Sequence, residues 1–206
     1  MLRVGLTGGY ASGKSFVGCV LESLGCHVIR ADDLGHATLA PDGEAYRDVI
    51  REFGGGILKE DGMIDRRRLG ALVFDNPERL AALNALVHPA VFRRQERWME
   101  EVSARDPKGI AVVEAAIMVE TGSHRRCAKL IVAICSEEEQ IRRGMARDGL
   151  TREEVEARLR RQMPLAEKVR LADYVIDTSG AKEETKERTV RVHEALRELA
   201  LGSGNE

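Results

Sequence analysis

The sequence of 206 residues lacks any apolar run of about 18 residues, so we expect no segment that crosses a membrane. Residues 1–7 carry no long apolar stretch after a basic region, and we therefore expect no signal peptide. An excess of positive charge is also missing, because 32 basic side chains face 34 acidic ones and give a formal charge of -2. Charge alone thus gives no reason to expect a partner that is a nucleic acid or a membrane surface.

The four cysteines form no C-x-x-C pair, which argues against structural zinc and favours a reducing cytoplasmic location. What the sequence does contain is five short apolar runs with helical patterns between them. The runs cover residues 2–7, 26–31, 109–113, 130–135 and 174–176. Runs of this kind fit strands that are covered on both faces, and the alternation predicts an α/β fold with a parallel sheet flanked by helices.

Several patterns mark the expected starts and ends of helices. The patterns that mark helix starts are Asn76 followed by Pro77, Ser136 with Glu139, and Thr151 with Glu154. A further helix is expected after His88–Pro89, and the glycine-rich stretch 202–206 is expected to fray.

Two segments depart from the alternation of strands and helices. Residues 33–105 are almost wholly helical in pattern, and residues 137–170 carry nine basic and eight acidic side chains with few large apolar ones. The first is interpreted as a helical insertion and the second as a solvated helix pair. A substrate subdomain and a lid would also be expected at these places.

The strongest motif fits the pattern G-x-x-x-x-G-K-[ST] and lies between the first apolar run and a helical pattern. Its residues are Gly8, Gly9, Tyr10, Ala11, Ser12, Gly13, Lys14 and Ser15, with Phe16 next. Backbone N–H groups of such a loop curl around a phosphate, the lysine reaches the β- and γ-phosphates, and the serine hydroxyl binds Mg²⁺. The following helix favours the anion through its dipole. The sequence therefore predicts a phosphate-binding loop, with ATP or GTP and Mg²⁺ as expected ligands.

Two carboxylates follow apolar runs and are candidates for chemistry. Asp32 comes just after the second run, where a kinase could use it to accept the proton of the acceptor hydroxyl, but Asp is equally suited to cap a helix. Glu114 ends the third run, where it would supply a second metal contact or remain a strand-end carboxylate in solvent.

Basic side chains in the two helical segments are further candidates. Arg143 and Arg147 are four residues apart on one predicted helix face and could close over the phosphates, although a salt-bridged surface is the alternative. Arg66, in the run 66–68, could meet a phosphorylated substrate or simply face solvent. His88 is a weaker candidate for substrate contact, since a lone histidine is often structural.

With these residues in view, the chain resembles the dephospho-coenzyme A kinase family over nearly its whole length. The matching stretches are residues 5–15, 28–32, 61–69, 83–89, 147–150, 161–164 and 172–177. The chain departs from the family pattern at Arg30, Ala116 and Thr178, where the family commonly has Asp, Pro and Asn.

The resemblance implies a P-loop NTPase fold with a nucleotide-binding core, a helical CoA-side domain and a lid. The implied boundaries are 1–32, 108–136 and 172–201 for the core, 33–105 for the CoA-side domain and 137–170 for the lid. The implied reaction moves the γ-phosphate of ATP to the ribose 3′-hydroxyl of dephospho-CoA, with Asp32 as general base and Arg143 and Arg147 as lid arginines. The turn at 178–180 would lie near the adenine.

The residues are also compatible with two other functions. Another small-molecule or nucleotide kinase would share the phosphate loop, although the insertion at 33–105 is large for a very small acceptor. A nucleotide-dependent switch without an acceptor is the other rival. Asp177–Gly180 matches the D-x-x-G element of GTPases, but it lies far from the loop and no N-K-x-D element is present. A monomer or weak homo-oligomer that binds a small molecule, and neither nucleic acid nor membrane, is expected.

Overall fold

The computed structural model describes residues 1–74 and 76–202, and it contains a parallel sheet flanked by helices. The order of the five strands is β2-β3-β1-β4-β5. They are β1 (Leu2–Gly8), β2 (His27–Arg30), β3 (Ile110–Glu114), β4 (Lys129–Ile134) and β5 (Tyr174–Asp177). Each strand falls on one of the five apolar runs, so the predicted α/β fold class is confirmed.

Nine α-helices are described in these residues. They are α1 (Lys14–Ser23), α2 (Ala31–Thr38), α3 (Tyr46–Phe53), α4 (Arg66–Val73), α5 (Pro77–Arg105), α6 (Glu137–Asp148), α7 (Arg152–Arg160), α8 (Leu165–Val169) and α9 (Lys182–Gly202). Among the described helices, none combines the length and the apolarity needed to cross a bilayer.

The central strand β1 sets the positions of its neighbours. It pairs in parallel with β3, where Leu6 is opposite Glu114, and with β4, where Gly8 is opposite Ala133. Side chains such as Val4, Leu6 and Ile131 are fully buried in the core between the sheet and its helices. This register brings the carboxyl ends of β1, β3 and β4 to one edge, the edge at which parallel sheets bind ligands.

The chain divides into two compact units. We call residues Met1–Ile29 together with the chain from Glu101 onward the sheet unit, and residues Arg30–Glu100 the helical unit. The helical unit has its own apolar cluster, in which Val49 and Ile57 are almost wholly buried. The boundaries implied for the three functional segments stay predictions.

The caps expected from the sequence are largely present. The Asn76 side chain accepts a hydrogen bond from the Arg79 backbone N–H at 3.0 Å. Thr151 and Glu154 form a complete capping box. Ser136 accepts from the Glu139 backbone N–H, but the reciprocal bond is replaced because the Glu139 carboxylate binds arginines of its own helix.

Two expectations about helices are wrong. His88–Pro89 does not precede a helix, because both residues lie inside the 29-residue α5. Proline there removes one backbone hydrogen bond, but the following Ala90 and Val91 are buried and keep the helix continuous. The segment 137–170 holds three helices rather than a pair, since Pro164 starts the short α8. In the stretch expected to fray, residues 203–206 lie outside the described part.

Candidate active site

The phosphate loop joins the end of β1 to the start of α1. Gly13 occupies the N-cap position of α1 in the left-handed region, with φ 82°, and Ala11 also has a positive φ of 54°. Where residues with positive φ alternate with residues of negative φ, as at 11–13, successive backbone N–H groups point toward one place and form a concave site for an anion. Among the described residues, Ala11 is the one non-glycine residue with positive φ, which places backbone strain inside the predicted binding loop.

Close packing around the loop requires two of its glycines. A Cβ on Gly8 would lie 2.6 Å from the Ala133 carbonyl oxygen of β4. A Cβ on Gly13 would lie 2.8 Å from the Thr178 hydroxyl, in a backbone conformation that other residues rarely adopt. Both glycines are therefore fixed by the neighbouring backbone and by the turn after β5.

Lys14, Ser15 and Glu114 meet beside this loop. The Ser15 hydroxyl donates to Glu114 Oε1 at 2.6 Å, and Lys14 Nζ lies 3.5 Å from the same oxygen. The Glu114 side chain is only 4% exposed, so the alternative of a strand-end carboxylate in solvent is wrong. The β1–β3 register produces this contact, because it sets Glu114 opposite Leu6, two residues before the loop begins.

The oxygen donors at this point suit Mg²⁺. A hydroxyl and a carboxylate, 2.6 Å apart, are hard ligands of the kind that Mg²⁺ takes, and the ion usually fills its remaining positions with phosphate oxygens and water. Within the described chain, no group of three or more His, Cys, Asp and Glu side chains could hold a metal alone. The residues present therefore fit a magnesium ion that is shared with a nucleotide.

A cavity of about 420 Å³ opens between the loop and α6. It is lined by Gly9, residues 11–16, Arg142, Arg143, Ala146 and Arg147. The structure thus brings both predicted lid arginines, Lys14 and Phe16 to one cavity. The Phe16 ring also faces Lys182, whose Nζ lies 5.8 Å from the ring centroid.

Arg143 is held by three hydrogen bonds. Its Nε donates to Glu139 at 2.7 Å, and its two terminal nitrogens donate to the hydroxyl and the carbonyl of Thr178 at 2.9 and 2.6 Å. The buried Thr178 hydroxyl in turn donates to the Ser12 carbonyl at 2.8 Å. Arg143 thus connects α6 to the phosphate loop through the turn after β5.

Arg147 is held differently. Its Nε and Nη2 donate to the Asp148 carboxylate at 2.8 and 2.9 Å, and its guanidinium carbon lies 5.1 Å from the Tyr10 ring centroid. Hydrogen bonds from Arg147 and Tyr10 lower the pKa of Asp148 to about 2, so this carboxylate is charged at neutral pH. Arg147 also lines the phosphate cavity, so its charge faces the place where a nucleotide phosphate would bind.

Three predicted site residues belong to the helical unit. Asp32 is exposed in the first turn of α2, whose N-cap position is occupied by Arg30, so the capping alternative for Asp32 is wrong. Arg66 is the exposed first residue of α4. His88 packs against the Phe92 ring with centroids 6.1 Å apart, and burial lowers its pKa. Their roles stay predictions.

One important side chain near the loop was missed in the sequence. Lys168 of α8 is fully buried, and its ammonium group donates to the carbonyls of Gly8 at 3.4 Å and Ala116 at 2.7 Å and pairs with Glu120 at 2.8 Å. It therefore connects the start of the phosphate loop to the segment after β3. Its position in a charge-rich stretch gave no signal of burial.

Comparison with known proteins gives a consistent result. A family model described as dephospho-CoA kinase matches residues 2–184. A curated protein of that name from Carboxydothermus hydrogenoformans is 43% identical over 189 residues, which cover 92% of this chain and 91% of that protein.

Solved structures agree with these matches. A Thermus thermophilus structure is similar with a TM-score of 0.82 at 37% identity, covering 95% of this chain and 97% of that one. A dephospho-CoA kinase from Campylobacter jejuni has a TM-score of 0.64 at 27% identity, with coverage of 94% and 96%. Since the family model and the relatives span nearly the whole chain, phosphate loop included, this chain belongs to the dephospho-CoA kinase family.

Proposed function

We propose that this chain transfers the γ-phosphoryl group of ATP to the ribose 3′-hydroxyl of dephospho-CoA, giving coenzyme A and ADP in the last step of coenzyme A synthesis. The observation that carries the proposal is the family match over residues 2–184, which includes both the phosphate loop and Asp32. The cavity beside Lys14 supports the nucleotide half of the reaction. The identity of the acceptor rests on the family.

The loop and the arginines would act on the nucleotide. Backbone N–H groups of the loop and the Lys14 ammonium would bind the β- and γ-phosphates. Arg143 and Arg147, which line the same cavity, would stabilise charge on the group in transfer. Catalysis of this kind depends on positioning and charge neutralisation rather than on a covalent intermediate.

The acceptor side is assigned to the helical unit. The ribose hydroxyl oxygen would attack the γ-phosphorus, the bond to the β-phosphate oxygen would break, and Asp32 would accept the hydroxyl proton. Asp32 is exposed and is not needed as a helix cap, which leaves its carboxylate available for this role. Arg66 and His88 are proposed to contact the substrate.

Magnesium would be held by the Ser15 hydroxyl and the Glu114 carboxylate together with the nucleotide. When bound, such an ion would supply positive charge that neutralises the phosphates beside these two residues. The Ser15–Glu114 hydrogen bond keeps the two protein donors close to one another before the nucleotide enters.

We also propose the setting in which the enzyme works. All four cysteines are free thiols, which supports the reducing cytoplasm as its location. A monomer or weak homo-oligomer acting on a small molecule, without nucleic acid or membrane, accords with the near-neutral charge.

The test presents the purified protein with ATP, Mg²⁺ and a panel of acceptors that includes dephospho-CoA, shikimate, gluconate and nucleoside monophosphates. ADP release and the phosphorylated product are followed together. Dephospho-CoA should be phosphorylated far faster than the others, and the product should carry its new phosphate at the 3′ position. Preference for another acceptor would contradict the proposal, and ADP release without any phosphorylated acceptor would indicate a nucleotide-dependent switch.

A further inference from the structure

The third residue of the phosphate loop, Tyr10, is bonded to residues of the segment 137–170 at each of its polar groups. Its backbone N–H donates to Gln162 Oε1 at 2.7 Å, and its carbonyl accepts from Gln140 Nε2 at 2.7 Å. Its hydroxyl donates to the Asp148 carboxylate. A loop residue bonded in this way is fixed relative to α6 and to the segment after α7.

The tyrosine ring also packs closely against Gly144 of α6. A Cβ on Gly144 would lie 2.7 Å from Tyr10 Cε1, so the ring occupies space that only a glycine leaves open. The guanidinium carbons of Arg147 and Arg158 lie 5.1 and 5.5 Å from the ring centroid. These distances are within the range at which a cation is attracted to an aromatic face.

Asp148 connects the tyrosine to Arg147. It accepts two hydrogen bonds from Arg147, one from the Tyr10 hydroxyl, and lies 3.5 Å from Arg158. Arg147 is therefore fixed on one edge by Asp148 and on its face by the ring. Arg147 itself lines the phosphate cavity. A flexible side chain fixed in this way loses less conformational freedom when it binds an anion.

We propose that Tyr10 is a positioning residue for Arg147, whose guanidinium it holds at the wall of the phosphate cavity, and that ATP affinity depends on this support. The inference rests on the proposed binding of ATP by the loop. It assigns to the Tyr10 side chain a role separate from that of the loop backbone, which any residue at this position would supply.

The test is a double-mutant cycle that measures the affinity of a non-hydrolysable ATP analogue without any acceptor. Tyr10→Leu keeps an apolar side chain but removes the ring face and the hydroxyl, and should weaken binding about tenfold. Tyr10→Phe keeps the ring and should weaken binding about threefold. Arg147→Ala should weaken binding about tenfold, and adding Tyr10→Leu to it should cause almost no further loss.

The control is Arg152→Ala, which removes ion pairs to Glu138 and Glu156 on the same helices but faces neither Tyr10 nor the cavity. Its affinity should equal that of the wild type. Thermal midpoints of all variants show whether they fold, and if Tyr10→Leu does not, the same cycle is run with Tyr10→Phe.

Two results would overturn the inference. The first is a Tyr10→Leu variant that binds the analogue as tightly as the wild type. The second is a loss that persists in full in the Arg147→Ala background, because the tyrosine would then act on the loop itself and not through the arginine. Failure of the wild-type protein to bind the analogue would instead contradict the proposed function.

Discussion

Lys14 and Glu114 form an ion pair beside the phosphate loop, with Lys14 Nζ 3.5 Å from Glu114 Oε1, and Ser15 shares the same carboxylate oxygen. In this arrangement the carboxylate keeps the ammonium group near the loop. A nucleotide phosphate would offer Lys14 a second anionic partner, and the buried Glu114 would keep Ser15 as its donor. The ion pair thus holds the Lys14 ammonium group near the loop and still allows it to contact a phosphate.

Replacing Lys14 with Ala should lower the rate of phosphoryl transfer by about 10²–10³ or more, because a cation that stabilises the transferring phosphate is lost. Steady-state turnover at saturating ATP measures the effect. Lys182→Ala is the matched control, since this lysine faces the Phe16 ring but does not line the cavity, and it should retain turnover. Near-normal turnover in a folded Lys14→Ala protein would contradict the assignment of the loop.

Replacing Asp32 with Asn should lower kcat by about 10²–10⁴ and leave ATP affinity nearly unchanged, because an amide cannot accept the hydroxyl proton. Asp33→Asn is a matched control, since both carboxylates lie in the first turn of α2 and each loses the same favourable interaction with the helix dipole. That loss is about 0.3–1 kcal/mol of stability in either variant. Equal turnover of the two variants would end the general-base hypothesis.

Sequence and structure agree best for residues whose role depends on chain neighbours. The loop motif, the cap at Asn76 and the capping box at Thr151 could be predicted because each is formed by residues within a few positions. Lys168 could not, since its burial depends on Gly8, Ala116 and Glu120, which lie far from it in the chain. Tyr10 was predicted only as a loop residue for the same reason.

At the scale of elements, the five strands could be predicted because each coincides with a short, mostly apolar run between polar turns. The helices were harder to delimit. Pro89 suggested a helix start, but buried residues around it keep α5 continuous, and this packing is invisible in the local sequence. The third helix of 137–170 was missed because α8 has only five residues.

The helices α6, α7 and α8 are expected to differ in mobility. Lys168 anchors α8 through buried contacts, whereas most side chains of α7 are exposed. Amide exchange in α7 should therefore be fast in the free protein and should slow when dephospho-CoA and a non-hydrolysable ATP analogue bind together, because closure excludes solvent. Exchange in α8 should be slow in both states.

Exchange in α7 that is as slow as in the sheet, and unchanged by ligands, would show that these helices are rigid scaffold. Arg143→Ala provides a second measurement on the same helices. It should lower kcat with little change in dephospho-CoA binding, because it removes a cation from the phosphate cavity. Since it also removes the hydrogen bonds to Thr178, its thermal midpoint must be measured in parallel.

At the scale of the whole molecule, each compact unit has its own apolar core, and each contains a histidine whose burial lowers its pKa. His193 lies on α9 in the sheet unit, where Arg197 lowers its pKa further, and His88 lies in the helical unit. Protonation of either histidine is therefore coupled to unfolding.

The unfolding free energy should therefore fall as the pH is lowered below about 6.5, the pKa of histidine in an unfolded chain. The unfolded chain takes up its proton first, so the stability present above this pH is lost as the pH falls toward the lower pKa of the folded state. For His193, which is buried, the slope is at most about 1.4 kcal/mol per pH unit.

Urea unfolding between pH 7.5 and 5 measures how the unfolding free energy changes with pH. His193→Phe should flatten the slope, whereas His36→Phe, at an exposed position of α2, should leave it unchanged. A slope that is the same in all three proteins would show that burial of His193 does not couple protonation to folding.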